Sequence, residues 1–271
     1  MVSFFPSFNI IAQIGPFTIR WYAVCILFGA VLAYLLGQKR FKELNYASTI
    51  LSDYFVGVLV IGILGARIWY VALMWNELYA ADPASSLYIW QGGLAIQGGL
   101  FAGLAYSLWF FKQKDIPFLV AADAIMPGVL VAQACGRWGN FFNQEAHGTA
   151  VTRAFLESLK LPAFIIDHMN IGGTYYHPTF LYESLGNLLV FLIIILVVRH
   201  FQKNNGEQFF SYFIGYGTVR YFVESLRTDS LMIGPLRMAQ VISVLFVIGG
   251  LAGFVYVRKH GTPCAFKHHA G

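Results

Sequence analysis

Charge is scarce in this chain. Only 11% of its 271 residues are charged, against 58% hydrophobic and 17% aromatic, a balance that excludes an ordinary water-soluble globular domain. Also lacking are a low-complexity linker, a polar stretch long enough for a separate soluble domain, and an internal repeat of the kind that marks many transporters. Cysteine is sparse too. Cys25, Cys135 and Cys264 show neither metal-ligand spacing nor an even disulfide framework, so they read as small hydrophobes or incidental thiols, and no metal or cofactor is expected. The opening segment has no basic stretch ahead of its apolar run and no small-residue cleavage pattern. It does not read as a removable signal peptide, and the first span is expected to stay.

What the chain has instead is apolar length. A transmembrane helix needs about 20 mostly apolar residues. Seven stretches qualify, near 21–37, 52–75, 92–111, 117–136, 179–198, 208–226 and 238–257. The expected fold is an all-α integral membrane protein of about seven transmembrane helices, a single polytopic domain over 1–271. The segment RAFLESLKLPAFIIDHM mixes apolar and charged residues and is expected to lie on the membrane as part of an outer cap at about 141–177.

The basic residues orient the spans. Lys39, Arg40 and Lys42 follow the first span, Lys112 and Lys114 the third, Arg199 and Lys203 the fifth, and Arg258, Lys259 and Lys267 the seventh. The 75–86 loop has no basic residue, and the body of the 140–177 loop has only Arg153 and Lys160. Cytoplasmic loops carry the excess of Lys and Arg, which puts the amino terminus outside and the carboxyl terminus in the cytoplasm. The net charge of +5 therefore reports topology, and no nucleic-acid partner is expected.

Six further arginines fall within or at the ends of the spans: Arg20, Arg67, Arg137, Arg220, Arg227 and Arg237. Charge is costly in hydrocarbon unless it faces protein, water or a headgroup. Arg20 and Arg237, at span starts, read as snorkelling side chains, while Arg67 is balanced between snorkelling and function. Arg220, Glu224 and Arg227 are spaced to share one helical face, where two cations and one anion leave a positive surplus that suits a phosphate. An internal ion-pair ladder stapling helices is the plainer alternative.

The densest polar cluster is CGRWGNFFNQEAHG, residues 135–148. Arg137 and Asn140 share a face if the helix continues, and Asn143, Glu145 and His147 add acceptors and a titratable group beyond it. WQGGLAIQGGL, residues 90–100, repeats a Gly-Gly pair with Gln91 and Gln97, as a loosened backbone lining a cavity would. In YYHPTFLYES, Pro178 suits a first helical turn, with His177, Tyr182 and Glu183 near the mouth of that span. An anion transporter or channel would need a polar path through both faces, yet VLVIG (58–62) and VFLIIILVV (190–198) are almost entirely apolar. A seven-span receptor or scaffold would not need so many buried charges around Gly-rich breaks, though an inactive relative of an enzyme would carry the same residues.

GRWGNFFNQE, through Gly136, Arg137, Gly139, Asn140, Phe141, Asn143 and Glu145, resembles the signature of the bacterial prolipoprotein diacylglyceryl transferases. RWYA (20–23), GARIWYV (65–71), WQGGLAIQGGL, HPTFLYES (177–184) and YGTVRYFVESLRTDS (216–230) resemble further family segments in the same order, so the similarity covers nearly the whole chain. It implies a multi-pass enzyme of the bacterial plasma membrane, in contact with membrane lipids, that performs the first step of lipoprotein maturation. Its substrates would be phosphatidylglycerol and prolipoprotein signal peptides. The diacylglyceryl group moves to the thiol of the lipobox cysteine, forming a thioether and releasing glycerol phosphate. On this resemblance Arg137 holds the lipid phosphate, Arg220 supports the leaving group and Asn140 orients the headgroup, with Asn143, Glu224 and Arg227 beside them. Tyr22 closes the lipid site. The family often has His where this chain has Gln97, and an amide is no general base. Gln97 is therefore read as shaping the pocket, and Glu145, His147 and His177 remain the candidates for taking the thiol proton.

Overall fold

The computed structural model describes residues 2–14 and 17–266; Lys267, counted above among the cytoplasmic basic residues, lies outside them. The described residues before Trp21 lie outside the long helices. They make an antiparallel three-stranded sheet in the order β1 (Val2–Ser7), β2 (Ile10–Ile14), β3 (Phe17–Arg20). The β-branched residues of β2 and β3 suit a pleated surface. Pro6, which has no N–H to give a ladder, sits on an edge strand where the register between Phe4 and Ser7 is irregular.

Seven long helices follow at the seven expected places: α1 (Trp21–Glu43), α2 (Ser48–Leu73), α3 (Ile96–Gln113), α4 (Phe118–Asn143), then α5 (Arg153–Ser158) and α6 (Ala163–His168) as short pieces, α7 (Thr179–Ile193), the three-residue α8 (Arg199–Phe201), α9 (Glu207–Leu226) and α10 (Met238–His260). A π-helical stretch, Ile194–Val198, joins α7 to α8. Five helices among the described residues are long and apolar enough to cross a membrane: α1, α2, α4, α10 and the run Thr179–Phe201. The third and sixth expected spans differ. α3 has 18 residues, and α9 carries Glu207, Arg220 and Glu224, so length and apolarity do not by themselves extend the count to seven.

The chain divides into two compact units, Met1–Gly37 with Ala122–Gly271, and Gln38–Ala121. In the first, α9 packs against both α7 and α10. The helices approach closely: a Cβ at Gly215 would stand 2.3 Å from Val190 of α7, and one at Gly250 would stand 3.0 Å from the Phe210 carbonyl oxygen of α9. Polarity is arranged as lipid demands. Leu27, Leu189 and Leu245 are about two-thirds exposed, while Asp123, Glu183, Asn187, Gln208 and Glu224 are buried, the distribution expected where hydrocarbon is the solvent.

At the start of α4, the Asp123 carboxylate accepts from the Gly206 N–H (2.7 Å), the Phe209 N–H (2.8 Å) and Gln202 Nε2 (2.6 Å). It thereby caps the orphan donors at the amino end of α9. Beyond the other end of α4 the chain forms a small folded element. β4 (Ala150–Val151), β5 (Asn170–Ile171) and β6 (Thr174–Tyr176) form a sheet in the order β4-β6-β5, turned at Gly172 and Gly173, both at positive φ. α5 and α6 bury Leu156, Ile165 and Ile166 with Phe141, Met169 and Phe180. β7 (Met232–Ile233) and β8 (Leu236–Arg237) make a hairpin before α10.

In the second unit α2 packs on α3, and the structure decides the balance left at Arg67. Its guanidinium donates to the carbonyls of Ser86 (2.8 Å), Gly92 (2.7 Å), Gly93 (3.1 Å), Ser85 (3.1 Å) and Tyr88 (3.5 Å). Every donor is committed to one loop, so Arg67 is a clamp on that loop and neither snorkels nor faces a ligand.

Candidate functional site

The polar cluster of the first unit is assembled from the ends of three helices. α4 continues through GRWGNFFN to Asn143, so Arg137 and Asn140 do share a face, and Arg137 Nη1 lies 3.4 Å from Asn140 Oδ1. Gly139 is required where it stands, because a Cβ there would meet the Tyr22 ring at 2.5 Å. Tyr22 thus packs directly on the GRWGN turn. α7 begins at Thr179, just after Pro178, which puts Glu183 one turn in, and α9 brings Arg220 and Glu224, with Arg227 at its carboxyl cap.

These side chains form a continuous ionic chain. Glu183 takes Arg137 Nη2 at 2.6 Å on one carboxylate oxygen and Arg220 Nη1 at 3.0 Å on the other. Arg220 Nη2 then meets Glu224 at 2.6 Å, Arg227 lies 3.8 Å from the same Glu224 oxygen, and Arg227 pairs with Asp229 at 2.8 Å. Arg237, read as a snorkelling residue, instead donates to the Glu224 carbonyl. Glu183 and Glu224 are almost fully buried, whereas the side chain of Arg137 keeps 23% of its exposure, more than Arg220 at 15% or Arg227 at 14%. Among the three, Arg137 is the guanidinium an incoming anion reaches first.

The positive surplus read on α9 does not survive. Glu183 from α7 supplies a second carboxylate and Asp229 a third, so Arg137, Arg220 and Arg227 are matched by three carboxylates. Asp229 stays ionised: partial burial works against its charge, but the Arg227 guanidinium hydrogen-bonded to it holds the carboxyl below the usual range.

Glu145 sits between Gln144 and Ala146, both left-handed at φ 54° and 57°, a conformation uncommon outside glycine. Its carboxylate accepts from Asn140 Nδ2 at 2.8 Å and Asn143 Nδ2 at 3.4 Å. Thr179 pins the turn by donating to the Ala146 carbonyl at 2.6 Å. A tight crevice is lined by Arg137, Asn140, Thr179, Glu183 and Arg227 among others. Asn140 and Thr179 also border a second, with Glu145 and His147. The described surface has larger grooves, one of about 1020 Å³ beside Arg67. That guanidinium is already committed, so volume alone is a poor guide here.

Of the residues singled out in the sequence, the structure brings together Arg137, Asn140, Asn143, Glu145, Arg220, Glu224 and Arg227, with Tyr22 beside Gly139. His177 borders the cluster through its backbone, accepting from the Gly148 N–H at 3.0 Å, but its ring turns to the Tyr182 hydroxyl at 3.2 Å and to Phe155. Burial pushes the His177 imidazole below its ordinary value, so it is neutral at pH 7 and its protonation opposes folding as pH falls below about 6.5. His147 Nδ1 lies 3.1 Å from the Gly148 carbonyl. Gln97 belongs to the other unit, where it is exposed on the first turn of α3. Sequence reasoning gave Glu183 no special place; the signal was there, in a lone carboxylate inside an apolar span of a chain with unmatched intramembrane arginines.

Long apolar helices with a buried ionic chain gathered at one end of α4, α7 and α9 define a multi-pass membrane protein whose charged site is built at a helix end. Residues 9–256 match the family described as prolipoprotein diacylglyceryl transferase, and the chain belongs to that family. It is 44% identical over 257 residues to the phosphatidylglycerol–prolipoprotein diacylglyceryl transferase of Halalkalibacterium halodurans, covering 94% of this chain and 88% of that one. To the proteins of the same name from Bacillus cereus and Bacillus anthracis it is 46% identical over 253 residues, covering 93% of each chain.

Proposed function

We propose that this chain transfers the diacylglyceryl group of phosphatidylglycerol to the lipobox cysteine thiol of a prolipoprotein, releasing glycerol phosphate. The observation that carries the reading is the ionic chain through Arg137, Glu183, Arg220 and Glu224, with its most exposed guanidinium at Arg137, in a member of this family. The thiol loses its proton, sulfur bonds to the glyceryl carbon, and the C–O bond to phosphate breaks. Negative charge gathers on the phosphate. Arg137 takes two of its oxygens in a planar fork and Arg220 supports the departing group, while Glu183 fixes both guanidiniums and Asn140 orients the headgroup. Glu145, His147 and His177 are the candidates for accepting the thiol proton. Incubation of the purified protein with phosphatidylglycerol and a lipobox peptide is expected to yield the mass of the diacylglyceryl thioether; unchanged peptide would sink the proposal.

The site works from the outer face of the bacterial plasma membrane, with the amino terminus outside. A cysteine placed at Ser85 or Thr174 is expected to react with a membrane-impermeant thiol reagent in intact cells, and one at Ser48 to stay unlabelled. The opposite pattern reverses the orientation.

Gln97 takes no proton, because a side-chain amide is no general base. The chain with Gln97 is therefore active, and Gln97→His is expected to change the rate and its pH profile. An inert parent restored by Gln97→His would identify the position as the base and the parent as a disabled form.

A further inference from the structure

Asn187 lies on α7 one turn beyond Glu183, on the same face. It is completely buried, and neither its amide nitrogen nor its amide oxygen has a hydrogen-bond partner among the described residues. An amide so placed is strongly unfavourable in an apolar interior. Its surroundings are polar at one depth only. Above it, Ser184 donates to the Ala134 carbonyl of α4 at 3.0 Å. Below it, Val190 and Ile194 pack with Leu130 and Tyr212 in an apolar floor. One residue before Ala134 on α4, Gln133 donates to the Tyr212 hydroxyl at 2.9 Å, while its own Oε1 is buried and unpartnered.

The unmet groups specify what they bind. The Asn187 NH₂ needs an acceptor, whereas Asn187 Oδ1 and Gln133 Oε1 need donors. A cation is disfavoured by the two guanidiniums on Glu183, and an anion cannot satisfy two carbonyl oxygens. A small neutral group that both donates and accepts is required, and enclosed between helices that group is water. We propose that Asn187 and Gln133 hold an internal water site directly beneath Glu183, and that this water hydrogen-bonds to the Glu183 carboxylate. Asn187 is then a positioning residue: through water it completes the solvation of the anion that holds Arg137 and Arg220. The effect on transfer rests on the proposed function, whereas the water and its effect on stability do not.

The test compares the purified parent with Asn187→Leu and Asn187→Ser. An experimental structure of the parent, at a resolution that shows ordered water, is expected to contain a water within hydrogen-bond reach of both Asn187 and Gln133. Asn187→Leu should lower Tm and reduce kcat for transfer at least tenfold, while Asn187→Ser, which retains a hydroxyl and leaves room for water, should recover most of both. Replacing a truly orphaned amide by an apolar group of similar size is favourable. A raised or unchanged Tm in Asn187→Leu therefore overturns the proposal, as does a direct Asn187–Gln133 hydrogen bond with no water between them. If Asn187→Leu does not fold, the parent's density decides alone. A parent that holds the water yet transfers nothing refutes the function and leaves the site standing.

Discussion

Arg137→Lys is expected to lower transfer by on the order of 10² or more while leaving the protein folded. Removing one preorganised contact that strengthens as charge develops costs about that factor, and an ammonium cannot reproduce the two-oxygen grip of a guanidinium. The Arg137 side chain retains 23% exposure at the end of α4, so Lys has room and its charge still faces Glu183. Arg137→Ala should lose as much activity or more, with a lower Tm, since Glu183 is then left to Arg220. The measurement is transfer rate alongside Tm for both purified variants. Should both stay folded and transfer lipid at close to the parent rate, Arg137 is no phosphate anchor, and the face formed by Arg220, Glu224 and Arg227 takes its place.

Glu183→Gln should be damaging in both stability and rate. The carboxylate is 1% exposed and receives a guanidinium on each oxygen, at 2.6 and 3.0 Å. Removing one partner of a buried ion pair typically costs about 3–5 kcal/mol, because it strands the other charge. Here it leaves Arg137 without a carboxylate and Arg220, on a different helix, with Glu224 alone, and the shared geometry of both arginines is lost with it. Transfer should fall at least as far as in Arg137→Lys. A double replacement, Glu183→Met with Arg220→Met, should regain part of the stability, since an apolar pair can replace a buried ionic one, but none of the activity. An unchanged Tm in Glu183→Gln would mean that the carboxylate is not ionised between the arginines.

The helices were legible because hydrocarbon admits few alternatives: the apolar runs located the seven long helices of the described residues, five of them long and apolar enough to cross a membrane. Their ends were less so. α1 runs on to Glu43 and α4 to Asn143, since charged and amide residues continue a helix once its hydrogen-bond ladder is established. The sheet of residues 2–20 was missed because Phe, Ile and Val in its strands are shared with membrane spans. Spacing on one helix placed Arg137 with Asn140, and Arg220 with Glu224, as the structure has them. It could not reveal that Glu183, 37 residues before Arg220, closes the circuit, for pairing between helices leaves no periodic trace. The same blindness made α9 look overcharged.

Arg137, Glu183, Arg220 and Glu224 form a neutral quartet, two cations and two anions. On the proposed function, a phosphate arriving at Arg137 would enter by exchange, with Glu183 giving up part of its hold on the guanidinium as the ligand takes over. A site of this kind is a poor trap. On the proposed function, when the C–O bond breaks and glycerol phosphate carries away the charge, the internal carboxylate would resume its former contact, so the same residue that orders the arginines would also clear them for the next lipid.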